Sequence, residues 1–219
     1  MAKTLYSLML DADVVREIDL LAHRRGMNRS ALVNQILAEY VSVTTPERRI
    51  NDIFAAIESL MSPVSDLVPF FAPNQPTMSL KSSLEYKYRP TVKYEVELYR
   101  GGTESLGELS VIFRTQSREL IAAMTEFFKL WKRIEDAHLA PWLPGVTHAL
   151  YDGRFVRSIA RPGAYTAQRN YSSEDLAGAI SDYIRLFDDA LKGYLSGRYQ
   201  AADVEQRYLA YRDGSQILI

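Results

Sequence analysis

Hydrophobic positions along the chain recur with two different periods, and the places where the period changes divide it into elements. From Thr4 to Leu10 the residues alternate, Leu5, Ser7 and Met9 on one side and Tyr6, Leu8 and Leu10 on the other, which predicts one short strand. Asp11 is then placed to cap a helix in which Val14, Ile18 and Leu21, flanked by Val15 and Ala22, recur at helical spacing. Arg24-Arg25-Gly26 supply a basic last turn and a stop. Asn28 caps a second helix carrying Leu32, Val33, Ile36, Leu37, Tyr40 and Val41. Thr45-Pro46, a cap followed by proline at the first helical position, opens a third with Ile50, Ile53, Phe54, Ile57 and Leu60 on one face.

Between Ser62 and Ser79 the pattern breaks. Pro63, Pro69, Pro73 and Pro76 fall within fourteen residues, and no Lys or Arg occurs from Asn51 to Met78. Prolines at that density stop helix and hold the chain extended, so residues 62–79 are expected to be a linker. Val68, Phe70 and Phe71 are too apolar to stay in water, so this linker is expected to pack on something. It separates an N-terminal segment, 1–61, from a C-terminal one, 80–219.

Downstream, Leu84 to Arg100 reads as two strands joined near Pro90-Thr91, and Glu108 to Arg114 as a third behind a Gly101-Gly102 turn. Leu120, Met124, Phe127, Trp131 and Ile134 trace a helical stripe from Ser117 to about His138. Ser172-Ser173-Glu174-Asp175 is a capping signal for another, with Leu176, Ile180, Tyr183, Phe187, Leu191 and Tyr194 running up to Gly197. Ala201 to Arg212 predicts one more helix, while Ala140 to Asn170 has no legible period. The expected class is α+β: a small antiparallel sheet with long helices behind a strand-helix-helix unit.

One strand and two amphipathic helices cannot close a core over about forty residues, and a lone strand has no partner in its own segment. A second copy supplies both, since two strands can pair across a twofold axis above four interlocked helices. The segment therefore predicts a homodimer.

In this order and spacing, Thr4 to Val41 resembles the ribbon-helix-helix superfamily, the MetJ/Arc/CopG type of DNA-binding protein. The likeness rests on Leu-Tyr-Ser-Leu-Met-Leu, on Val14 to Ala22, on Gly26-Met27-Asn28-Arg29-Ser30-Ala31-Leu32-Val33 and on Ala38-Glu39-Tyr40. It implies an intertwined dimer whose paired strands enter the major groove of double-stranded DNA, with outward side chains reading base edges. Carried over, the readers are Leu5, Ser7 and Met9, and Asn28, Arg29 and Ser30 at the start of the second helix hold a phosphate through backbone N–H groups. Lys3, Arg24 and Arg25 complete the expected phosphate contacts. Leu5 and Met9 offer bases only apolar contact, so the unit is also compatible with a use in dimerisation alone.

The charge balance decides how local such a surface must be. Twenty-six Lys+Arg against twenty-seven Asp+Glu give a net charge of −1, so no bulk attraction to nucleic acid exists. The N-terminal forty-nine residues carry seven basic and six acidic side chains, with His23, Arg24, Arg25 and Arg29 concentrated at one end. The chain has no cysteine, which excludes thiolate metal sites and cysteine nucleophiles and fits a cytoplasmic location. No apolar run has the length of a membrane span, and no signal peptide is legible at the start.

The remaining chemistry is sparse. His23, His138 and His148 have no ligand spacing, so no metal or other cofactor is expected. Glu135-Asp136 and Asp188-Asp189 are neighbours on helices, point about 100° apart and read most simply as solvated faces. Tyr86-Lys87-Tyr88-Arg89 and Lys93-Tyr94 interleave aromatic and basic residues, but with Glu85, Glu95 and Glu97 on the same strands they read as sheet ion pairs rather than a single-strand binding face. No catalytic signature is present, so an enzyme is not expected. Trp131, Trp142, Phe127 and Phe128 could line a pocket for a small effector, or simply be core; the Leu176 to Tyr194 stripe could pair with a protein partner or across a dimer. The expected function is that of a sequence-specific DNA-binding homodimer, a transcriptional regulator able to assemble further. The alternatives are an accessory protein of plasmid or mobile-element DNA processing, or an interaction protein using the fold to dimerise.

Overall fold

The computed structural model describes residues 4–62, 66–72, 75–84, 89–101, 105–161 and 171–219. Three helices come first: α1 (Ala12–Arg24), α2 (Arg29–Tyr40) and α3 (Pro46–Met61). Each starts where the pattern placed it. The Asn28 side chain accepts the Ala31 N–H at 2.9 Å, and the Thr45 hydroxyl accepts the Arg48 N–H at 3.2 Å with Pro46 behind it. Gly26 ends α1 in the left-handed region, φ +62°, which lets the Met27 N–H return to the Ala22 carbonyl at 3.0 Å.

Six strands follow as one antiparallel sheet in the order β1-β2-β3-β4-β6-β5: β1 (Leu67–Phe71), β2 (Thr77–Ser83), β3 (Thr91–Leu98), β4 (Ser105–Phe113), β5 (His148–Tyr151) and β6 (Arg154–Ala160). Helices α4 (Arg118–His138), α5 (Ser173–Leu195) and α6 (Ala201–Gly214) complete the chain. The molecule is α+β. On β3 the alternation is strict, with Val92, Tyr94, Val96 and Leu98 buried between partly or fully exposed Lys93, Glu95 and Glu97. Their inward face joins the apolar stripes of α3, α4 and α5 in one core. The Ser172–Asp175 capping box that starts α5 is present in both directions, at 3.1 and 2.9 Å.

Several expectations need correction. The expected linker, residues 62–79, contains all of β1 and the first residues of β2, and Leu67 and Met78 are core residues. Pro69 fits there because β1 is an edge strand, where a missing N–H breaks no ladder on the outer side. In place of the strand expected from Leu84, the structure has β2, which ends at Ser83; Glu85-Tyr86-Lys87-Tyr88 lies outside the described residues, as does Gly102. The segment without a legible period, Ala140 to Asn170, supplies β5 and β6. Helix α3 belongs with the downstream core: Ile50, Ile53, Phe54, Ile57 and Met61 pack into the same cluster as the sheet, and the Phe54 and Phe71 rings lie 6.0 Å apart. The boundary expected at residue 61 therefore falls before α3.

Candidate nucleic-acid interface and buried polar cluster

Thr4 to Asp11 form no ladder in the single chain, so the expected strand is not a strand here; a strand needs a neighbour, and among the described residues none pairs with it. Every residue of the segment is at the surface. Leu5 and Met9 expose 97% and 102% of their reference area, and Ser7 is exposed between them. Lys3 lies outside the described residues.

Helices α1 and α2 bury only Ala22 and Leu32 between them. Val14, Leu20, Ile36, Leu37, Tyr40 and Val41 stay exposed, an apolar surface far too large for two solvated helices. At the start of α2, the Asn28 side chain occupies the Ala31 N–H and its carbonyl takes the Leu32 N–H at 3.1 Å. The Arg29 and Ser30 N–H groups are the remaining orphan donors of that first turn, which contains no acidic residue. Arg24 and Arg25 are exposed at the end of α1, just before the turn. The Arg29 guanidinium does not project freely: it folds back onto α1 and grips Asp19 with two parallel bonds, Nε to Oδ1 at 2.5 Å and Nη2 to Oδ2. That bond from Arg29 holds the Asp19 carboxyl below its usual range.

The second constellation lies inside the molecule. Glu135 on α4 and Arg157 on β6 are each 1% exposed, and the Arg157 Nε donates to both carboxylate oxygens at 3.1 and 3.0 Å. His148 Nε2 on β5 meets the same carboxylate at 2.6 Å and the Tyr208 hydroxyl on α6 donates to it at 3.2 Å. The rest of the guanidinium reaches the Ser158 and Ile219 carbonyls. Burial pushes the Glu135 carboxyl up, but the Arg157 charge and then His148 outweigh it and hold the group below its ordinary value. Burial, followed by the nearby Glu135 charge, raises the Tyr183 and Tyr208 phenols. Tyr183 accepts the Trp131 indole N–H at 2.8 Å and lies under the Arg157 guanidinium, 4.4 Å from its ring centre.

This cluster overturns the reading of the paired carboxylates as solvated faces. Glu135 and Asp188 point inward, while Asp136 and Asp189 remain at the surface. Asp188 takes the Tyr94 hydroxyl at 2.9 Å and Lys192 at 2.8 Å. The sequence did hold a signal: Glu135 is four residues from Trp131 and seven from Phe128, and Asp188 four from Ile184 and three from Leu191, so both are in phase with the apolar stripes. The histidines are likewise placed: His23 is exposed at the end of α1, His138 meets Glu205 at 2.6 Å, and His148 is part of the cluster.

Most of the aromatic residues considered for an effector pocket are packed into the core. Trp131, Phe127 and Phe128 are packed core, with Trp131 and Phe127 ring centres 5.7 Å apart, and Trp142 is half-exposed. The Leu176 to Tyr194 stripe is spent inside the chain, with Leu176, Ile180, Tyr183, Phe187 and Leu191 all buried, so it is not available to a partner. An open groove of about 580 Å³ does lie elsewhere, between Leu67, Leu84 and the face of α5 bearing Arg185, Asp188 and Lys192. Among the described residues, no helix is long and apolar enough to cross a membrane. No family model, curated protein or solved structure matches the chain.

Proposed function

We propose that the protein is a homodimer that binds double-stranded DNA through a ribbon-helix-helix unit formed by two copies of residues 4–41, and that it regulates transcription in the cytoplasm. The observation that carries this reading is the unfinished state of that segment: an exposed arm with no ladder partner among the described residues, followed by two helices that bury two side chains while they and the flanking Val41 expose six large apolar ones. Pairing the arms of two copies gives each a ladder neighbour, and the exposed faces of α1 and α2 then close on one another.

In that arrangement Leu5, Ser7 and Met9 lie on the outer face of the ribbon toward the major groove. Ser7 supplies hydrogen bonding to a base edge, and Leu5 and Met9 meet thymine methyl groups. The Arg29 and Ser30 N–H groups at the positive end of α2 take a backbone phosphate, with Asn28 fixing the turn, and Arg24 and Arg25 add charge beside them. The closed core around the sheet serves as the accessory body that senses, recruits or assembles further.

Titration of the full-length protein against random-sequence and genomic duplexes across a salt series, with the mass of each complex recorded, tests the proposal. The expected result is a complex of two chains per site whose log affinity falls linearly with log salt, at a slope of about −0.9 per phosphate neutralised. A stable dimer that binds no duplex at low salt would reduce the unit to a dimerisation device, and a monomer would remove the proposal altogether.

A further inference from the structure

The contact that departs most from a phosphate clamp is the one Arg29 makes at home. Its guanidinium belongs to the first residue of α2, yet its Nε and Nη2 bonds are both taken by Asp19 of the same chain. The geometry is that of a two-point carboxylate complex, which is also the geometry by which arginine grips a phosphate. Asp19 thus occupies, on the guanidinium, the place that a DNA phosphate would need. No acidic residue stands in the first turn of α2, and Asp13, on the first turn of α1, is paired with Arg16 at 3.2 Å.

We propose that Asp19 is a built-in competitor for the phosphate at the α2 start, an intramolecular counter-ion that sets the affinity of the protein for DNA. The proposal rests on the DNA-binding reading above. In the free protein the Arg29 charge is cancelled, and phosphate binding proceeds by exchange of one anion for another. The exchange is feasible because the pair is open to solvent, with 55% and 44% of the two side chains exposed. Exposed ion pairs of this kind shift an equilibrium by at most about fivefold, so a phosphate held also by two N–H groups outcompetes the carboxylate. Twofold symmetry doubles the effect. Asp19 therefore lowers non-specific attraction to DNA without abolishing binding, and removing it raises affinity for every sequence alike.

The test is the Asp19→Asn substitution in the full chain, compared with wild type, Asp13→Asn and Arg29→Ala. Each is titrated against one random-sequence duplex from 50 to 200 mM salt by fluorescence anisotropy, with the dimer checked by light scattering. Asn keeps the shape and one acceptor but no charge, and Asp13→Asn removes the same charge from another site on α1. The expected result is a gain at low salt for Asp19→Asn of up to about 25-fold, at most about fivefold from each chain, and larger than for Asp13→Asn. The salt slope steepens by up to about 1.8, two contacts at 0.9 each, so the gain is largest at 50 mM and fades toward 200 mM. In an Arg29→Ala background the Asp19 substitution leaves the slope unchanged. Equal effects of the Asp13 and Asp19 substitutions reduce the effect to one of overall charge and overturn the competitor; weaker binding by Asp19→Asn at 50 mM salt also overturns it and makes Asp19 a positioning residue for Arg29. If wild type and all variants remain dimers and none binds DNA at low salt, the DNA-binding reading fails and the competitor falls with it.

Discussion

The Glu135→Gln substitution probes the buried cluster most directly. It keeps the volume and removes the charge, and its consequence follows from the donors aimed at that carboxylate. Arg157 Nε, His148 Nε2 and the Tyr208 hydroxyl all converge on it within 3.2 Å. A glutamine offers one acceptor oxygen where there were two and turns an NH2 group toward a donor. Arg157, 1% exposed, is left charged and without its counter-ion, since a guanidinium does not deprotonate inside a protein. Breaking a buried pair from one side costs about 3–5 kcal/mol. Against a total stability of about 5–15 kcal/mol, that moves a chain of this size down by about 6–20 °C in Tm. Urea unfolding followed by tryptophan emission reads it, since Trp131 is tied to the cluster through Tyr183. Acidification gives a second readout. The Glu135 carboxyl is held below its ordinary range in the fold, so its contribution is complete above the unfolded value and is lost as pH falls through the folded one. Wild type therefore loses stability steeply on acidification, and Glu135→Gln follows a flatter curve. A loss under about 1 kcal/mol at unchanged m-value would refute the assignment of this pair as a buried, mutually dependent one.

Three further outcomes are expected. Gly107→Ala, at the bulge of β4, would place a Cβ 1.9 Å from the Glu97 carbonyl oxygen, a backbone atom that cannot rotate away; a loss of about 1–3 kcal/mol in urea unfolding is expected, and an unchanged midpoint would contradict that close approach. Tyr94→Phe deletes the hydroxyl that donates to buried Asp188 at 2.9 Å and leaves Lys192 as its main partner, costing about 1–3 kcal/mol; thermal unfolding decides, and a stabilised variant would show that the bond carries nothing. Leu37→Glu puts a charge on the exposed apolar face of α2, so light scattering is expected to show monomers with the melting of the closed core unchanged, and a retained dimer would place the interface elsewhere.

Helices were legible in the sequence to within a few residues because period and caps agree: Asn28, Thr45, Ser117 and Ser172 each accept an N–H of the first turn in the structure. Strands were legible only where one face is wet. On β3 polar and apolar residues alternate, but on β6 six successive residues from Phe155 to Ala160 are buried, Arg157 among them, and the period disappears. The proline density around Pro69 hid β1, since sequence alone does not say that a strand is an edge. Period also says which face of α3 is apolar without saying what it meets, which is why the helix reads as an appendage of the N-terminal segment when its side chains belong to the sheet core. Of the candidate site, the Asn28 turn was legible, whereas the Asp19–Arg29 pair, ten residues apart on two helices, depends on the angle at Gly26.

The placement of α3 changes what the N-terminal segment has to accomplish. Without that helix, residues 4–41 retain Ala22 and Leu32 as their buried apolar side chains, against forty in the cluster around the sheet among the described residues. Two side chains cannot offset the conformational entropy of ordering some forty residues, at about 1–2 kcal/mol of backbone alone for each. The downstream core has no such deficit, because its sheet, α3, α4 and α5 close on one another within the chain. Order in the segment proposed to bind DNA is then coupled to association, while the body that carries it folds regardless. On the proposed reading, DNA affinity is coupled to the protein's own concentration through the dimer equilibrium, and anything that brings two closed cores together would raise the population of competent arms without touching them.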